Sequence, residues 1–119
     1  MKKILKETGP NGIEAKVKKY AKKKGCYVRK FNSDNIRGVP DDLFVSPKGI
    51  VFFIEFKSPG KKPTHRQESE LNKILENKGN AFICDNLHES GVHLWNKDFD
   101  EHIEIWHDGY KLIDLLMLY

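Results

Sequence analysis

Apolar and polar positions alternate most cleanly between Ile50 and Lys57: Ile50, Phe52, Ile54 and Phe56 fall on one face, Val51, Phe53, Glu55 and Lys57 on the other. That period predicts a strand. A second apolar run, Leu43-Phe44-Val45, precedes it across a Pro47-Lys48-Gly49 turn, so the two form a hairpin. Upstream, Ile13, Val17, Tyr20 and Ala21 recur at helical spacing and predict a helix over about 12–24, with Asn11 as N-cap and Gly25 as the stop. Residues 26–31 read as a strand and 32–37 as a polar loop. Beyond the hairpin, Thr64 and Gln67 have the spacing of a capping box. They open a helix over about 65–78 whose Leu71, Ile74 and Leu75 face the core and whose end is marked by Gly79; a short buried strand over 81–84 follows.

After Cys84 the pattern loosens. Strands are predicted over 91–95 and 102–106, and His107-Asp108-Gly109 reads as a hairpin turn returning through 110–116. A helix over 111–119 competes, because Leu112, Leu115, Leu116 and Tyr119 also share a helical face; the hairpin is the reading adopted. The predicted order, α-β-β-β-α-β plus a C-terminal extension, is that of an α/β domain with a mixed sheet flanked by helices.

With 119 residues and an ordinary apolar fraction, the chain is expected to be one domain with one modest core. Cys26 and Cys84 lack metal-ligand spacing and read as buried thiols. No run is apolar enough to span a membrane and no leader is evident, so a cytoplasmic protein is expected. The net charge of +4 conceals a gradient: residues 1–30 carry eleven Lys/Arg against two acids, and residues 85–119 carry two against eight. The basic end favours a polyanionic partner, nucleic acid first, with Lys16, Lys19, Lys22, Lys23 and Lys24 concentrated on one short helix. Against that stands the plain alternative that these lysines only keep a helix solvated.

Glu55 and Lys57 emerge together from an otherwise apolar strand, where an unpaired charge would cost several kcal/mol to bury. Asp41 heads the preceding strand and reaches the same patch if the two strands pair. Two carboxylates and an amine at a sheet edge suit Mg²⁺. Each of these residues also has an ordinary reading: Asp41 as a turn residue after Pro40, Gln67 as a cap, Glu14 as a complement to the helix dipole, Lys57 as a solvated strand end.

Taken together, Gly38-x-Pro40-Asp41, Glu55-x-Lys57, the Ser58-Pro59-Gly60 that follows, Gln67 at a helix start and Glu14 on the first helix resemble the VRR-NUC family, a branch of the PD-(D/E)xK nucleases. The resemblance covers about 12–84 and implies a restriction-endonuclease-like core. It implies a DNA endonuclease of the kind carried by phages, with Asp41, Glu55 and the Phe56 carbonyl ligating Mg²⁺ or Mn²⁺. Glu14 would join through the water shell or a second ion, Lys57 would stabilise charge or orient the water, and Gln67 would position either. No small-molecule cofactor is implied. Duplex or branched DNA would be held by the first-helix lysines and by Arg37, Lys61, Lys62, His65 and Arg66. This chain departs from the family pattern in having Asp42 where an aliphatic residue is usual. Strand alternation separates Asp41 from Asp42, and Asp41 is the one assigned to the site. The apolar, acidic segment 85–119 lies outside the family core and is expected to pack on that core or build a homodimer. Trp95 and Trp106 are expected in its interior. The rival readings are a restriction-like or junction-resolving nuclease, and a binding module without catalysis.

Overall fold

The computed structural model describes residues 6–9, 12–31, 37–96 and 102–119. The elements are α1 (Ile13–Lys23), β1 (Tyr27–Lys30), β2 (Asp42–Val45), β3 (Val51–Phe56), α2 (His65–Glu76), β4 (Asn80–Cys84), β5 (Val92–Asn96), β6 (His102–Trp106) and α3 (Gly109–Leu116). They build a six-stranded sheet in the order β1-β2-β3-β4-β6-β5. The pairs β1–β2, β2–β3 and β5–β6 are antiparallel, whereas β3–β4 and β4–β6 are parallel. This is the mixed, helix-flanked sheet that the sequence predicts.

Alternation along β3 divides the core as expected. Phe52, Ile54 and Phe56 pack on one face with Ile13, Val17 and Ala21 of α1 and Leu112, Ile113 and Leu116 of α3. Phe53 lies on the other face, against Leu71, Ala81, Ile83, Ile103 and Ile105 under α2. Each fully buried aliphatic or aromatic side chain contributes about 1.5–3 kcal/mol, so both layers are needed to hold so small a sheet.

α1 starts without a side-chain cap, at Gly12. Its first amides are met instead by the preceding segment: Lys6 and Glu7 carbonyls accept from Ile13 and Glu14 at 2.8 and 3.0 Å. Asn11, the expected cap, lies outside the described residues, as does most of the expected 32–37 loop. α2 carries the predicted capping box. Its end differs from expectation, because Lys78, not Gly79, takes the left-handed conformation, with φ +64°.

The principal correction falls at 107–116. Asp108 does not turn a hairpin; it caps α3, its side chain accepting from the Lys111 amide at 3.0 Å. Leu112, Ile113 and Leu116 fit strand and helix patterns alike, and packing against α1 decided for the helix. The C-terminal segment is thus part of the same sheet and core as the rest. Trp106 is buried in that core, as predicted; the Trp95 side chain lies outside what is described.

Candidate active site

Antiparallel pairing of β2 with β3 sets Asp42 opposite Ile54, which brings Asp41 to the outgoing end of β3. Asp41 is fixed there by its own backbone and side chain. Its carbonyl accepts from Phe31 N–H at 2.8 Å, and Oδ2 accepts from Phe56 N–H at 2.8 Å. The chain leading into it is tightly seated. Gly38 has φ +86°, and a Cβ there would lie 2.7 Å from the Arg66 carbonyl group, so only glycine lets this loop rest on the first turn of α2.

Glu55 is 3% exposed and lies within hydrogen-bonding reach of Asp41. Burial first, and then the neighbouring Asp41 carboxylate, push its carboxyl up to about 9, with Lys57 pulling the other way. Lys57 is itself buried, its backbone N–H donating to the Cys84 carbonyl at 2.9 Å. Two adjacent strands therefore bring Asp41, Glu55 and Lys57 to one place. Among the described residues no group of three or more acidic, His or Cys side chains is arranged to hold a metal. Two crowded carboxylates still match Mg²⁺, which keeps most of its waters and takes one or two protein carboxylates.

Glu14 is not part of that pair. It lies beneath the opposite face of the sheet with Asp42, and Lys30 Nζ is 3.1 Å from its Oε2. Burial acts to raise the Glu14 carboxyl, but hydrogen bonds with Asp42 and Lys30 outweigh it and leave it below its ordinary value. Asp42, fully buried with Lys18 3.1 Å from Oδ1, is pushed up to about 7 by burial and by Glu14. The result is two carboxylate pairs back to back, separated by the sheet. Lys18 and Lys30 lie against the Glu14–Asp42 pair. Asp42 is thus bound up with the site's surroundings in a way the sequence did not indicate.

Gln67 is in the capping box: its Oε1 accepts from the Thr64 amide at 2.9 Å, and its own amide donates to Thr64 Oγ1 at 3.2 Å. It therefore does serve as a cap, and a part in positioning Lys57 would fall to the remaining amide group. Glu7, which sequence reasoning passed over, adds negative charge felt at Glu55. The only signal available was its being an acid among lysines.

The basic residues divide between two regions. Arg37, Lys61, Lys62, His65 and Arg66 are exposed around the Gly38 loop and the start of α2, on the approach to Asp41 and Glu55. Lys22, Lys23 and Lys24 lie near Gly25, whose position beside Pro47 puts them at the far end of the β2–β3 hairpin. Lys16, Lys19 and Lys23 border a cleft of about 280 Å³ with Tyr20 and Tyr110, also on the α1 face.

No family model matches the chain. A curated relative, "Putative nuclease p44" of Acyrthosiphon pisum secondary endosymbiont phage 1, is 33% identical over 82 residues, which is 69% of this chain and 88% of the relative. A solved structure described as a VRR_NUC domain superposes with a TM-score of 0.56 at 25% identity, covering 89% of this chain and 95% of that one. With Asp41, Glu55 and Lys57 gathered on such a sheet, the chain belongs to the VRR-NUC family of nucleases.

Proposed function

We propose that the protein is a metal-dependent DNA endonuclease that selects branched or otherwise non-duplex structures by shape and charge. The observation that carries this reading is half-buried Asp41 set against buried Glu55 and Lys57 at the end of β3. A carboxyl pushed up by burial and by a neighbouring carboxylate is costly for the fold, and a cation held between the two would offset that cost. Asp41, Glu55 and the Phe56 carbonyl would hold Mg²⁺ or Mn²⁺, which when bound supplies an activated water and neutralises phosphate charge. Lys57 donates to the phosphate oxygen on which charge develops, or orients the attacking water. Arg37, Lys61, Lys62, His65 and Arg66 hold the backbone on the α2 side. The sequence carries no base-reading motif, so recognition is by shape and charge.

The same reading includes a homodimer, since cutting both strands of a junction calls for two sites related by a two-fold axis. Leu115, Leu118 and Tyr119 remain exposed beside the buried face of α3 and are available for such a contact. No described helix is long and apolar enough to cross a membrane.

The test is cleavage of a labelled panel (single strand, duplex, flap, splayed arm and four-way junction) with Mg²⁺ or Mn²⁺. The expected result is cutting of a branched substrate that stops in EDTA and falls at least about a hundredfold in Asp41→Asn, with DNA binding retained. Equal activity in chelator, or in that variant, refutes the site.

A further inference from the structure

Strands β3, β4 and β6 are parallel neighbours, and their last paired residues align as Phe56, Cys84 and Trp106. The next residue of each strand is Lys57, Asp85 and His107. Three polar residues thus form one row across the carboxyl ends of adjacent parallel strands, on the sheet face shared by Glu55, where ligands of open α/β sheets bind. Asp85 is 3% exposed and has a partner for each oxygen. Oδ1 is 2.6 Å from His107 Nδ1, and Oδ2 accepts from Gly60 N–H at 3.1 Å, at the turn that leads from Lys57 to Lys61. The His107 side chain remains 29% exposed. A carboxylate on Nδ1 fixes the ring and leaves Nε2 as the atom that can meet something outside the protein. Two strand spacings separate His107 from Lys57, about 10 Å between backbones, so a group bound at one lies next to a group bound at the other.

We propose that His107, oriented by Asp85, is a further substrate-contact residue. As an imidazolium it donates from Nδ1 to Asp85 and from Nε2 to a backbone phosphate adjoining the one presented to Asp41, Glu55 and Lys57. Asp85 is a positioning residue, holding both the imidazole and the loop that carries Lys61 and Lys62. This inference rests on the nuclease reading of the site and extends it to the neighbouring phosphodiester.

Two substitutions separate contact from scaffold, because asparagine places an amide near Nδ1 and glutamine places one near Nε2. The full chain is assayed on a labelled splayed-arm DNA with Mg²⁺, alongside anisotropy binding of the same DNA in EDTA and thermal melts. His107→Asn keeps a donor for Asp85 and loses the outward one, so KM and Kd rise about tenfold with kcat within about twofold. His107→Gln restores most of the affinity. The reverse ranking, in which asparagine is silent and glutamine is harmful, shows that the histidine only supports Asp85 and overturns the proposal. So does wild-type affinity in both variants. Failure of the wild-type chain to cut any substrate counts instead against the nuclease reading, while the binding comparison judges His107 separately.

Discussion

Replacing Glu55 with glutamine is expected to make the protein more stable while removing its activity. In an unfolded chain the Glu55 carboxyl loses its proton near the ordinary value of 4.5; in the fold, burial and Asp41 keep it until about 9. Between those limits the native state binds more protons than the unfolded one, so stability falls as pH rises through this window and is fully retained below 4.5. Each pH unit costs about 1.4 kcal/mol, which amounts to about 3 kcal/mol by pH 7. Glutamine is neutral throughout, nearly the same size, and its amide donates to Asp41 as the protonated acid does. Glu55→Gln should therefore melt with the wild type near pH 4.5 and increasingly above it at higher pH, by about 10 °C at pH 7 for a domain of this size. The assay is thermal unfolding in EDTA from pH 4.5 to 8.5, followed by repeats in millimolar Mg²⁺. The ion should raise the wild type through mass action and leave the variant unmoved. A pH-independent difference, or a variant less stable than wild type at pH 7, would refute the idea that a buried proton is held between Asp41 and Glu55.

Two further outcomes test how the site is built. Gly38→Ala should cost about 1–3 kcal/mol, measured by urea unfolding, and should lower cleavage as well, because the added carbon meets the Arg66 backbone and tilts the loop that aims Asp41; wild-type stability would show that the loop yields freely. Burial pushes the Cys84 thiol up to about 12, so thiol reagents at pH 8 should label it at least about a hundred times faster in denaturant than in the native protein. Rapid native labelling would contradict the packing of Cys84 under α3.

Most of this molecule was legible from local pattern. β3 has a period of two, α2 has its capping box, and the glycine after α1 sits where a left-handed residue is needed, so the helix–strand–hairpin–helix–strand order followed from short-range chemistry. The juxtaposition of Asp41, Glu55 and Lys57 was equally readable, because an acid and an amine at the end of an apolar strand are tolerated only where opposite charge gathers around them. Three things were decided only when distant segments met. Residues 110–116 suit a strand or a helix, and the choice fell to the groove that α1 offers to Leu112, Ile113 and Leu116. Glu14 and Asp42 became a separate pair because two consecutive aspartates at a strand start point to opposite faces, and the helix that bears Glu14 covers only one of them. The row of Lys57, Asp85 and His107 comes from three parallel strands whose register is set by crossovers through α2 and the β5–β6 hairpin. Periodicity reports which side of its own element a residue occupies; which neighbour waits on that side depends on the free energy of packing the whole sheet.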